Sequence, residues 1–171
     1  MAKLDKIEFE QFGPYRFIGK SVYARAGVEH SGIIFGTMWG ISKPIFDTLD
    51  SLKDYATKET HNVALLTFDK YDEQKKLLGY TVGKFMKADT PVPDGMDYFD
   101  IPAIHMAKGW VSGEFDDMIA NAEGLTAEAV KQHGKYEATW EFLAEVYTPD
   151  THPTEGEHSV LGYYISCKEN I

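Results

Sequence analysis

Residues Leu78-Gly79-Tyr80-Thr81-Val82 recur 83 positions later as Leu161-Gly162-Tyr163-Tyr164-Ile165. The same offset brings Tyr15 onto Tyr98, Ile18 onto Ile101, Ala24 onto Ala107 and Arg25 onto Lys108. One offset at both ends of a stretch points to duplication of a supersecondary block. Chance identity is the alternative, since Gly-Tyr pairs are common in strands; the recurring hydrophobic pattern weighs against it. Two copies are too few for a solenoid, which needs roughly three or more to bury its core. Two halves must instead close on each other, and a groove between such halves is a natural place for a small ligand.

A chain of 171 residues suits one domain or two small halves sharing a core, and 43% hydrophobic residues can fill it. The formal net charge of −10 argues against nucleic acid as a direct partner, because such binding rests on phosphate neutralisation by Lys and Arg. The pair Lys75-Lys76 is too short to change that. A cationic or neutral small molecule suits this field better. Cys167 has no second cysteine to pair with and lies in an apolar strand pattern, so structural burial is the first reading and nucleophilic catalysis the second. The opening Met1-Ala2-Lys3-Leu4-Asp5-Lys6 carries no apolar signal region, and no run is long enough for a membrane helix. The expected location is cytoplasmic.

Along the chain the hydrophobic period changes in a repeating order. Tyr15 to Arg25 alternates as a strand after the Gly13-Pro14 turn. Ser31 to Tyr55 is helical, with Ile34, Met38, Ile41, Ile45, Leu49 and Leu52 at three- and four-residue spacings and Pro44 dividing it or kinking it. His61 to Asp69 and Leu77 to Met86 are strands joined by the polar turn Tyr71 to Lys76. A linker, Lys87 to Asp97, follows. Tyr98 to Trp110 is expected as one strand, Glu114 to Glu123 and Ala127 to Trp140 as two helices broken at Gly124, with Thr126 capping the second. Trp140 to Tyr147 and Ser159 to Lys168 are the closing strands, with a longer turn from Thr148 to His158. The fold class is therefore α+β: two pseudo-symmetric β-α-β-β halves, about 13–87 and 96–169, forming antiparallel sheet with helices packed on one side and a central ligand cleft.

The halves also share an acid-x-Tyr pattern. Asp69-Lys70-Tyr71 ends one strand and Glu145-Val146-Tyr147 another, and residues two apart on a strand point the same way, so the phenol can hold the carboxylate. An ordinary solvated strand end is the alternative. Trp39, Trp110 and Trp140 lie near the centres of their expected elements, where each could face a cleft or fill the core. A carboxylate against aromatic faces favours a planar cation, at about 0.5–2 kcal/mol per cation–π contact.

Val92-Pro93-Asp94-Gly95-Met96-Asp97-Tyr98-Phe99-Asp100-Ile101-Pro102-Ala103 resembles the middle signature of GyrI-like, AraC-type effector-binding domains: a Pro-x-Gly-Met turn, an aromatic pair and Ile-Pro-Ala. Tyr15 to Ser21 resembles that family's opening strand, and Tyr163-Tyr164-Ile165-Ser166-Cys167-Lys168 its closing strand, with Ser166 where Pro is usual. The resemblance implies two pseudo-symmetric halves around an aromatic cleft. It also implies a Glu deep in the second half that pairs with cationic, planar, lipophilic molecules. The family's Phe-Glu-x-Tyr pattern falls on Ala144-Glu145-Val146-Tyr147, with Ala144 departing from the aromatic.

Three functions follow. The first is a stand-alone small-molecule-binding protein of multidrug type, with Glu145, Tyr147, Trp39, Trp110, Trp140, Tyr163 and Tyr80 as ligand-binding residues. It would be like the sensing end of a transcription regulator without the helix-turn-helix segment. The second is a hydrolase that opens cyclopropane rings of alkylating compounds, with Glu145 as general acid or base and Tyr147 as proton partner. The third is a gyrase-inhibitor-like module that binds another protein. No cofactor or metal is expected: His30, His61, His105, His133, His152 and His158 have no close metal spacing, no G-x-S-x-G elbow occurs, and the glycines from Gly32 to Gly40 lack dinucleotide-site context.

Overall fold

Lys3–Phe12, alternating charged and apolar side chains, forms the first strand, β1, in a segment where sequence pattern had suggested no element. It is followed by β2 (Tyr15–Arg25), α1 (Ser31–Gly40), α2 (Lys43–Ser51), a short 3-10 turn (Lys53–Tyr55), β3 (Asn62–Thr67), β4 (Leu77–Lys87) and β5 (Asp97–Ile101). The remaining elements are β6 (Ile104–Glu114), α3 (Phe115–His133), β7 (Tyr136–Tyr147) and β8 (His158–Glu169). This computed structural model describes residues 1–25, 31–68, 74, 77–154 and 156–171, with only the backbone for 31–34. The expected acid-x-Tyr copy Asp69-Lys70-Tyr71 lies outside the described residues.

The chain divides into two units, Pro14–Pro102 and Met1–Gly13 with Ala103–Ile171. In the first unit the strand order is β3-β4-β2-β5, every pair antiparallel. Ile18 and Met86 on the sheet pack against Ile45 and Leu49 of α2, and Lys84 reaches Asp50 of α2 at 2.7 Å. Phe17 and Phe85 cover the opposite face, edge to face at 4.9 Å. In the second unit the order is β1-β6-β8-β7, again antiparallel throughout. Here α3 buries Met118, Ala122, Thr126 and Val130, a stripe at four-residue spacing. Val130 packs on Ala107 and Cys167, flanked by Ile7 and Phe9 of β1.

Both units thus have the same plan: the first strand of a β-α-β-β block is central, the last pairs beside it, the second lies beyond, and a supplementary strand closes the other edge. The edge strands are exchanged along the chain. β1 precedes β2 in sequence but pairs with β6, and β5 precedes β6 but pairs with β2.

Several sequence expectations are corrected. Tyr98 to Trp110 is not one strand, because Pro102 lacks the N–H a ladder needs; β5 ends at Ile101 and β6 begins at Ile104. The offset of 83 holds for β4 and β8 but not for the strands beside them: Val22 faces Tyr80, whereas Gly109, not His105, faces Tyr163. Helix α3 runs through Gly124, since the buried stripe continues on both sides and outweighs the propensity cost of one glycine, about 1 kcal/mol. Thr126 is accordingly a buried mid-helix residue, not a cap. The helix stops at Gly134, whose φ of 77° suits the left-handed C-terminal cap, so residues 136–140 are strand. Pro44 does divide the first helical stretch, and the break leaves Ile41 58% exposed.

Candidate functional site

In the second unit, β7 and β8 place Glu145 directly opposite Tyr163, with Tyr147 two residues further along the same face. Tyr147 Oη donates a hydrogen bond to Glu145 Oε2 at 3.5 Å. Tyr163, 4% exposed, donates from its hydroxyl to Glu123 Oε2 of α3 at 3.0 Å. The helix can come this close because the residue of β6 opposite Tyr163 is Gly109; a Cβ there would strike the Thr126 side chain. Two carboxylates, Glu123 and Glu145, therefore border one buried phenol, and Glu145 is itself half-buried. The set places two acidic groups beside one buried phenol and one half-buried phenol, Tyr147.

The same side of this unit carries a groove of about 530 Å³ between α3 and β7, within the range that holds small organic molecules. Ala127, Val130, Tyr136 and Ala138 supply its apolar surface, and Trp140 lines it while remaining 43% exposed. Gly124, next to the Tyr163 partner Glu123, lines it as well.

Trp110 is placed elsewhere. It pairs with Gly162, so it points to the sheet face opposite Glu145 and Tyr163, stands edge-on to Tyr164 at 6.0 Å and donates from Nε1 to Glu8 at 3.4 Å. Strand alternation decides this, since residues 109 and 110 cannot share a face. In the first unit, Tyr80 lies beneath α1. Trp39, near the end of α1 rather than its centre, donates from Nε1 to the Tyr80 hydroxyl at 2.8 Å. Phe35 stacks on Tyr80 at 4.3 Å, and Trp39 on Phe46 at 5.9 Å. Tyr80 and Tyr163, the two tyrosines of the repeated motif, thus each hydrogen-bond to the helix above them, one to an indole and the other to a carboxylate.

Sequence reasoning brought Glu145, Tyr147 and Tyr163 forward through period-two alternation and the repeat. It missed Glu123 and Phe35. Nothing in sequence distinguishes Glu123 from other helix-surface acids, because its role depends on how closely α3 approaches β8. Among the described residues no group of three His, Cys, Asp or Glu is placed to hold a metal ion. Among the described residues no helix is long and apolar enough to cross a membrane.

Comparison with known proteins gives a consistent picture. A family model described as integron-associated effector binding protein, Cass2, matches residues 26–166. The fold is similar to that of SAV2435 bound to tetraphenylphosphonium (TM-score 0.66, 9% identity, covering 95% of this chain and 94% of that one). It is also similar to a transcription regulation protein from Staphylococcus aureus MU50 (TM-score 0.65, 10% identity, 95% and 98% covered). A third likeness is to an integron cassette protein from the mobile metagenome of Vibrio cholerae (TM-score 0.53, 10% identity, 99% of both chains covered). No curated protein matches by sequence.

Proposed function

The chain belongs to the integron-associated effector binding protein family, and we propose that its effectors are lipophilic, planar organic cations received at Glu145. The observation that carries this reading is the phenol-held carboxylate: Glu145 is half-buried, hydrogen-bonded by Tyr147 and set against Tyr163. Taking a carboxylate partly out of water is costly unless donors or a counter-charge compensate. Tyr147 supplies one donor, and a ligand cation adds an opposite charge while its rings lie against the half-buried Tyr147 phenol. The net charge of −10 favours approach of the same class of molecule. The likeness to a protein bound to tetraphenylphosphonium supports a cation as ligand.

Calorimetric titration with ethidium, a planar cation, and with neutral 2-naphthol tests the reading. Glu145→Gln keeps the shape and removes the charge, so ethidium affinity is expected to fall about 10- to 100-fold, the scale of a charged hydrogen bond, with 2-naphthol nearly unaffected. Equal loss for both probes would make Glu145 a structural residue and sink the proposal. If a cyclopropane-bearing alkylator is turned over by the parent protein, and Glu145→Gln binds but does not turn it over, the site is that of a hydrolase.

A further inference from the structure

We propose that Ser166 is a positioning residue for ligand recognition, holding the β7 bulge that presents Trp140 as an aromatic platform for a planar cation in the α3–β7 groove. The inference rests on the reading of this protein as a binder of planar cations and adds a second contact point to it.

Between the pairs Ala138–Cys167 and Leu143–Ile165, β7 advances five residues while β8 advances two, so three residues are looped out. Such an insertion interrupts the ladder and leaves backbone groups to be satisfied by other means. Ser166, fully buried, does this with one hydroxyl. Its Oγ accepts from the Glu141 N–H at 3.1 Å, from the Phe142 N–H at 3.4 Å and from Thr139 Oγ1 at 3.0 Å, and donates to the Phe142 carbonyl at 3.2 Å. Alanine at 166 would leave two buried backbone groups of Phe142 without this partner.

The residue that the bulge turns outward is Trp140. Its φ of 57° makes it the one non-glycine residue with positive φ among the described residues. A bulky side chain in that conformation is uncommon and costs about 1–2 kcal/mol, so glycine would be the residue of choice if stability alone mattered. The indole is neither buried in compensation nor directed away from the groove: it is 43% exposed and lines the cavity of about 530 Å³. An aromatic face held at some backbone cost beside an apolar recess is the arrangement of a stacking surface. The charged groups along the recess are Glu128, Glu137 and Lys131, a net negative set, so the occupant that fits is an aromatic cation rather than an aromatic anion.

A double-mutant cycle read by ethidium binding tests the proposal. Trp140→Gly is expected to weaken ethidium about tenfold while leaving the melting temperature equal or higher, since glycine relieves the positive φ. Ser166→Ala is expected to weaken ethidium roughly fivefold in the parent and not at all in the Trp140→Gly background, because its effect passes through the indole. Ser166→Thr, which keeps the hydroxyl, should restore most of the affinity. Equal losses for Ser166→Ala in both backgrounds would make Ser166 merely structural and overturn the assignment. Parent-like ethidium affinity in Trp140→Gly, with a loss in Glu145→Gln, would overturn this inference and leave the Glu145 reading standing. No ethidium binding by the parent protein would overturn both.

Discussion

Burial pushes the Cys167 thiol up to about 11, against a hydrogen bond with the Ala107 backbone that acts in the opposite direction. The fold thus favours the protonated thiol, and the sign of the pH effect follows. The unfolded chain gives up this proton first, near the ordinary value of 9.0, so the folded state is relatively weakened as pH rises from there toward 11. The stabilisation is complete below pH 9 and amounts to roughly 2–3 kcal/mol at about 1.4 kcal/mol per pH unit. Denaturant unfolding of the wild type and Cys167→Ala should therefore show the stability gap narrowing by that amount between pH 8 and 11; parallel curves would refute it. Burial of Cys167 was legible from the apolar strand around it, as was the shared face of Glu145 and Tyr147. The pairing of Tyr163 with Glu123 was not, because it depends on a helix-to-sheet distance set by Gly109 and Thr126.

At the level of elements, α3 carries two glycines with opposite expected responses. Gly124 sits within the helix with nothing near the position a Cβ would take, so Gly124→Ala should raise stability by up to about 1 kcal/mol. Gly134 holds the left-handed cap at φ 77°, where alanine is strained, so Gly134→Ala should cost about 1 kcal/mol. Thermal denaturation of both variants checks the pair, and destabilisation by Gly124→Ala would mean that α3 is interrupted there after all. Local signals suggested a break at Gly124 because a single glycine in sequence reads the same at a terminus and mid-helix. The buried stripe from Met118 to Val130 resolves the ambiguity only once a sheet is available to receive it. The β7 bulge has a similar origin. No residue from Thr139 to Phe142 announces three inserted positions; the insertion is visible only against the register of β8.

Over the whole molecule, the exchange of edge strands makes β1 part of the second unit's core. Phe9 stacks on Tyr136 at 4.3 Å with planes 6° apart, Phe12 is 1% exposed, and Ile7 covers the cluster of Ala107, Val130 and Cys167. Deleting residues 1–12 should lower the melting temperature by about 10 °C or more and open the Cys167 thiol to a disulfide reagent, since losing a buried Phe alone costs about 3–5 kcal/mol. A truncated protein with an unchanged melting temperature and a protected thiol would show β1 to be dispensable. The α+β class, the helix division at Pro44 and the acid-x-Tyr face at Glu145 were already readable in the chain. All of these rest on local periodicity or on the missing N–H of proline, which act over a few residues. That β1 and β5 each pair across from their sequence neighbours, that Trp110 faces away from Glu145 and that Trp140 stands out on a bulge emerge from long-range strand pairing alone. Strand partnership and register are settled by which distant backbone groups and apolar faces satisfy one another, and no window of the chain contains both partners.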